Sequence, residues 1–152
     1  VKGSIRENIA YGVERGFTEE ELIKAAKLAK AYDFIMEKED GFDTQISKFN
    51  SKLSGGEMQR LAIARIILQQ PSYLIMDEAT SGIDVVNEKE IVEALQNLMN
   101  GKTVVMIAHD MNLIKKADNI IVLNKGIVEE CGDYDTVYQN SELFQSFVSK
   151  GA

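Results

Sequence analysis

Tryptophan is absent from this 152-residue sequence, and proline, histidine and cysteine occur once each. A lone Cys131 cannot close an intrachain disulfide, so a disulfide scaffold is excluded and a reducing compartment is compatible. Its neighbours Glu129 and Glu130 also disfavour a thiolate nucleophile. An excess of positive charge is missing. The 17 Lys and Arg face 24 Asp and Glu, a net charge of −7 that argues against a nucleic-acid surface. Long hydrophobic runs are missing too. None approaches the roughly 18 residues of a membrane span, and no signal peptide is expected, so membrane contact would come through a partner or through residues beyond this chain. What remains is 45% apolar and 27% charged, the composition of a soluble acidic domain able to bury a sizeable core.

Local signals divide the chain into a helical first part and a second part that alternates strand and helix. Capping boxes beginning at Ser4, Thr18 and Ser54, each with a glutamate three residues on, predict three helix starts. The second of these helices sets Leu22, Ala25, Ala26, Leu28 and Ala29 against Lys24, Lys27 and Lys30. The third is expected to run to Gln69 and stop before Pro71. Residues 32–36 continue as a short apolar turn or helix, and residues 41–52 read as a polar loop. Apolar β-forming runs at 73–76 and 103–108 predict two strands around a helix at 84–99, the first of them buried. Residues 119–123 and 126–131 predict two more strands around Asn124-Lys125-Gly126, and helical pieces about Thr136 and at 141–150 close the chain. The expected class is α/β with a mainly parallel sheet.

Two strings carry the chemistry. Leu53-Ser54-Gly55-Gly56-Glu57 sets glycines directly after an N-cap serine, where bare helix N–H groups and the dipole form a cradle for an anion. Tyr73-Leu74-Ile75-Met76-Asp77-Glu78 is an apolar strand ending in adjacent carboxylates, at the sheet edge where open α/β folds bind ligands. Such a pair can hold a divalent cation and activate a water for phosphoryl transfer. Gln59-Arg60 and Ala62-Ile63-Ala64-Arg65 follow the first string, and Ala79-Thr80-Ser81-Gly82-Ile83-Asp84 follows the second. The single His109 comes after the run at 103–108, at the same sheet edge as Asp77 and Glu78.

In these motifs the sequence resembles the ATP-binding cassette (ABC) ATPases, from Gly3 to about Gln139. The resemblance implies a P-loop NTPase-like fold. Residues 1–70 would form a helical subdomain with the family signature, and residues 71–152 the C-terminal half of the ATPase core. It also implies ATP and Mg2+ as cofactors. Asp77 would serve the metal, usually through a coordinated water, Glu78 would be the general base, and His109 would hold the γ-phosphate and attacking water. Ser54, Gly55, Gly56 and Glu57 would bind the γ-phosphate of an ATP held by an opposite subunit, and Asp84 would reach across that dimer interface. Glu57 replaces the usual glutamine, which keeps the length and strengthens the cap but adds a negative charge. Asp110 stands where exporters commonly have arginine.

Exporter-like strings are Gly3-Ser4-Ile5-Arg6-Glu7-Asn8-Ile9, Tyr32-Asp33-Phe34-Ile35, Gly41-Phe42-Asp43-Thr44 and Asp77-Glu78-Ala79-Thr80. Residues 46–50 depart from them by lacking the glycines of the exporter coupling loop. The implied partners are a second nucleotide-binding domain, in a head-to-tail dimer, and a transmembrane domain holding the ATPase at the cytoplasmic face of the cell membrane. No G-x-x-x-x-G-K-[ST] phosphate loop occurs in the sequence. The chain is therefore expected to be an N-terminally truncated exporter domain, inactive alone. Two alternatives stay open: an ABC ATPase serving something other than transport, and a non-catalytic interaction fragment. For the first, family members serving DNA maintenance insert long heptad segments before the signature, and residues 13–52 are too short and irregular for that. The upstream sequence discriminates the second.

Overall fold

The computed structural model describes residues 2–46, 53–77, 88–108 and 111–150. It divides into two compact units, Val1–Ile75 with Ser81–Val105, and Met76–Thr80 with Met106–Ala152.

In the first unit, strand β1 (Gly3–Ser4) leads into helix α1 (Ile5–Ala10), followed by α2 (Glu19–Leu28) and α3 (Tyr32–Met36). The expected capping boxes open α1 and α2, with Ser4 and Thr18 side chains accepting from the Glu7 and Glu21 amides. Helix α4 (Gly55–Gln69) opens on the third box and ends at Gln70, whose left-handed φ of 53° turns the chain before Pro71. It packs against α1, α2 and α5 (Glu88–Met99). Ile9, Leu22, Ala26, Leu61, Ala64, Ile91 and Leu98 are buried, so the apolar stripes of the four helices supply this unit's core.

Polar side chains fasten the chain between these helices. Arg65 Nε donates to the Asn8 carbonyl at 2.6 Å, Gln69 Nε2 to that of Tyr11 at 3.0 Å, and Asn97 Nδ2 to that of Leu28 at 2.8 Å. The carbonyls of Tyr11 and Leu28 lie at or just beyond helix ends, where backbone acceptors need outside partners.

The expected polar loop at 41–52 departs from expectation over its described part. Gly41–Asp43 is a 3-10 turn, and β2 (Gln45–Ile46) pairs antiparallel with β1. Two-residue strands carry no periodicity for a sequence pattern to show. Strands β3 (Tyr73–Asp77) and β4 (Thr103–Ile107) are neighbours in one sheet. Ser72 accepts from the Thr103 amide at 3.2 Å, so the strand beginnings lie side by side and the strands run in the same direction. The expectation that β3 is buried needs correction. Leu74 is covered, but Tyr73 and Ile75 are 76% and 88% exposed, so β3 has only one covered face.

In the second unit, the four-residue helix α6 (Met111–Ile114), which the sequence did not announce, precedes the hairpin of β5 (Ile120–Asn124) and β6 (Ile127–Gly132). The hairpin turn Lys125-Gly126 has φ of 49° and 82°, the two positive values that a tight right-twisting hairpin needs. Helices α7 (Tyr134–Asn140) and α8 (Glu142–Lys150) follow. Val122, Val137 and Phe144 form the core of this unit, with Ile120, Tyr134 and Phe147 against them. Tyr134 meets Phe144 edge to face at 5.6 Å.

Candidate functional site

The first turn of α4 is built by a reciprocal cap. Ser54 holds extended backbone angles, φ −68° and ψ 165°, and its Oγ accepts from the Glu57 amide at 3.2 Å. Glu57 Oε2 accepts from the Ser54 amide at 2.6 Å. The Gly55 and Gly56 N–H groups of this turn have no acceptors inside the helix. Nothing lies within 4 Å of where a Gly55 Cβ would point, so an anion can approach the backbone there. Ser54, Gly55, Gly56 and Glu57 are thus brought together as one helix start, exposed at Ser54 and Gly55, with the dipole directed at the open side.

Charged and aromatic groups stand behind this cradle. Lys38 Nζ lies 3.5 Å from Glu57 Oε1. Arg60, one turn further along α4, is buried, pairs with Glu90 of α5 and stacks 5.0 Å from the Phe34 ring. Burial pushes the Arg60 guanidinium pKa down, while the negative charge of Glu57 opposes that shift. Arg60 Nε is buried without a hydrogen-bond partner. Sequence reasoning placed Arg60 only in a motif. Its burial and its link to α5 arise from packing, and the earlier signal was merely a charged residue in an apolar helix face.

Asp77 ends β3 with an exposed carboxylate. Glu78, Asp84 and His109, with Asp110, lie outside the described residues, as do 47–50 of the expected coupling-loop departure. Among the described residues no group of three or more His, Cys, Asp or Glu is placed to hold a metal ion. An exposed carboxylate at a strand end nevertheless suits Mg2+, which takes one or two carboxylates and completes its shell with water and phosphate oxygens.

Residues 2–81, more than half of the chain, match the family model described as ABC transporter. This chain belongs to the ABC transporter family. It is 48% identical over 134 residues to the ATP-dependent lipid A-core flippase of Syntrophus aciditrophicus (strain SB), covering 88% of this chain and 22% of that protein. It is 47% identical over 141 residues to ABC transporter B family member 14 of Arabidopsis thaliana, covering 93% of this chain and 11% of that one. A solved bacterial Atm1-family ABC exporter with ATP bound matches 99% of this chain and 26% of its own, at 35% identity and a TM-score of 0.82. The fold is that of an ABC ATPase, P-loop NTPase-like, as the motifs implied. The chain spans about a fifth or less of the length of these curated relatives. No helix among the described residues is long and apolar enough to cross a membrane.

Proposed function

We propose that this chain is the signature-bearing part of an ABC exporter ATPase, coupling ATP binding and hydrolysis to transport. The open, doubly capped N-terminus of α4 carries this reading, because it offers oriented N–H donors to a phosphate. Residues 1–70 act as the helical subdomain and residues 71–152 as the C-terminal half of the ATPase core. The helix start formed by Ser54, Gly55, Gly56 and Glu57 receives the γ-phosphate of an ATP bound to a second nucleotide-binding domain. Asp77 holds Mg2+ through a water, and the ion supplies charge neutralisation of the phosphates when bound. Glu78 takes the proton of the attacking water, His109 holds that water and the γ-phosphate in line, and Asp84 contacts the opposite domain. A transmembrane domain places the assembly at the cytoplasmic face of the membrane and selects the substrate.

The test is made on the full-length protein in lipid vesicles. Magnesium-dependent ATP turnover should occur there, and Gly55→Asp should abolish it by adding bulk and negative charge where the phosphate approaches. ATP binding to the same subunit should persist. Unchanged turnover in Gly55→Asp would remove α4 from the site.

A further inference from the structure

Glu57 places a carboxylate in the same helical turn whose amides are to receive a phosphate, and like charges at such a distance repel. Two features of the structure oppose that repulsion. The Glu57 side chain is only 15% exposed, and its Oε2 is drawn back onto the Ser54 amide. Its Oε1 faces the ammonium of Lys38, which comes from the segment just after α3 and is itself 24% exposed. The position of Lys38 is fixed on both sides. Its amide donates to the Ile35 carbonyl at 3.1 Å, and its own carbonyl accepts from the Gly41 amide at 3.1 Å. Its ammonium also lies 6.0 Å from the Phe34 ring centre, within reach of a cation–π attraction. Arg60, another cation coupled to Glu57 by charge, is engaged by Glu90.

We propose that Lys38 is a positioning residue for the γ-phosphate: it neutralises Glu57, so the Gly55 and Gly56 amides meet the phosphate without a competing negative charge. The proposal rests on the reading of α4 as a phosphate site. It makes residues 38 and 57 a functional pair. A chain with glutamine at 57 has no charge to neutralise and no need of the cation.

A double-mutant cycle on the full-length protein tests this, using ATP itself as probe. Lys38→Met keeps the length of the side chain and its contact with Phe34 but removes the charge. It should raise the ATP concentration for half-maximal turnover about 3- to 10-fold, the range for a partly buried charge at a helix terminus, with little change in kcat. The thermal midpoint without nucleotide should stay put, and Lys38→Arg should restore the wild-type ATP dependence. Within a Glu57→Gln background, Lys38→Met should shift the half-maximal concentration less than about twofold, since the pair no longer exists. Equal shifts in both backgrounds, or none in either, would overturn the role of Lys38 while leaving the phosphate site standing. Insensitivity of turnover to Gly55→Asp would instead overturn the phosphate site and this inference with it.

Discussion

On the proposed function Glu78 is the base for the attacking water, so turnover should depend on it most steeply. Glu78→Gln keeps the shape but cannot accept the proton. Turnover should fall roughly 10²–10⁴-fold, about 3–5 kcal/mol of barrier, while ATP still binds. Nucleotide-trapping measurements should then find a closed dimer holding uncleaved ATP; near-normal turnover would reassign the base to His109. A helix cap is legible in sequence because its meaning is local. Ser54 and Glu57 announce their reciprocal cap across three positions, and the structure forms it. Lys38 was not legible. It is far from Glu57 in the chain, and only the fold brings its ammonium to that carboxylate. Arg60 hid for a related reason, since a guanidinium buried against Phe34 and Glu90 looks in sequence like any exposed helix charge.

Elements with a start signal and a stop signal were read almost to the residue. Helix α4 has Ser54 before it and Pro71 beyond its left-handed cap, and it runs as expected to Gln69. Elements held only by tertiary contact escaped the reading. Strands β1 and β2 are two residues each and exist because Gly3 and Ile46 are brought together. Helix α7 provides a test of a single cap. Asp133 Oδ1 accepts from the Thr136 amide at 2.8 Å, and this bond holds the Asp133 carboxyl below its ordinary value. A carboxyl lowered by folding stabilises the folded state above its unfolded value, near 3.9, and loses that contribution as pH falls through the folded value. The first turn of α7 should therefore loosen only below about pH 4. Hydrogen exchange or the chemical shift of the Thr136 amide would follow it. Asp133→Asn, which keeps an acceptor but cannot titrate, should flatten that pH response; a response that persists would assign the titration to another group.

For the whole molecule, the separation of phosphate donors decides what can work alone. The sequence carries a signature but no phosphate loop, so the purified 152-residue chain should show no saturable magnesium-dependent turnover. It should also self-associate, because Tyr73, Ile75, Val105 and Ile107 on β3 and β4 are more than half exposed. Light scattering checks this, and Ile75→Lys with Ile107→Lys should lessen it. The remaining prediction concerns which subunit α4 serves. If its amides face a phosphate held by another subunit, two domains must enclose two nucleotides in a two-fold arrangement. A heterodimer can then be made from a Gly55→Asp subunit and one mutated in its phosphate loop. Action between subunits puts both defects in one composite site and leaves the second site whole, so nucleotide trapping should detect one closable site. Action within a subunit would instead damage both sites, one in each chain, and no nucleotide would be trapped. The two outcomes differ in the count of trapped nucleotides, which makes the test independent of how much either mutation slows the chemistry.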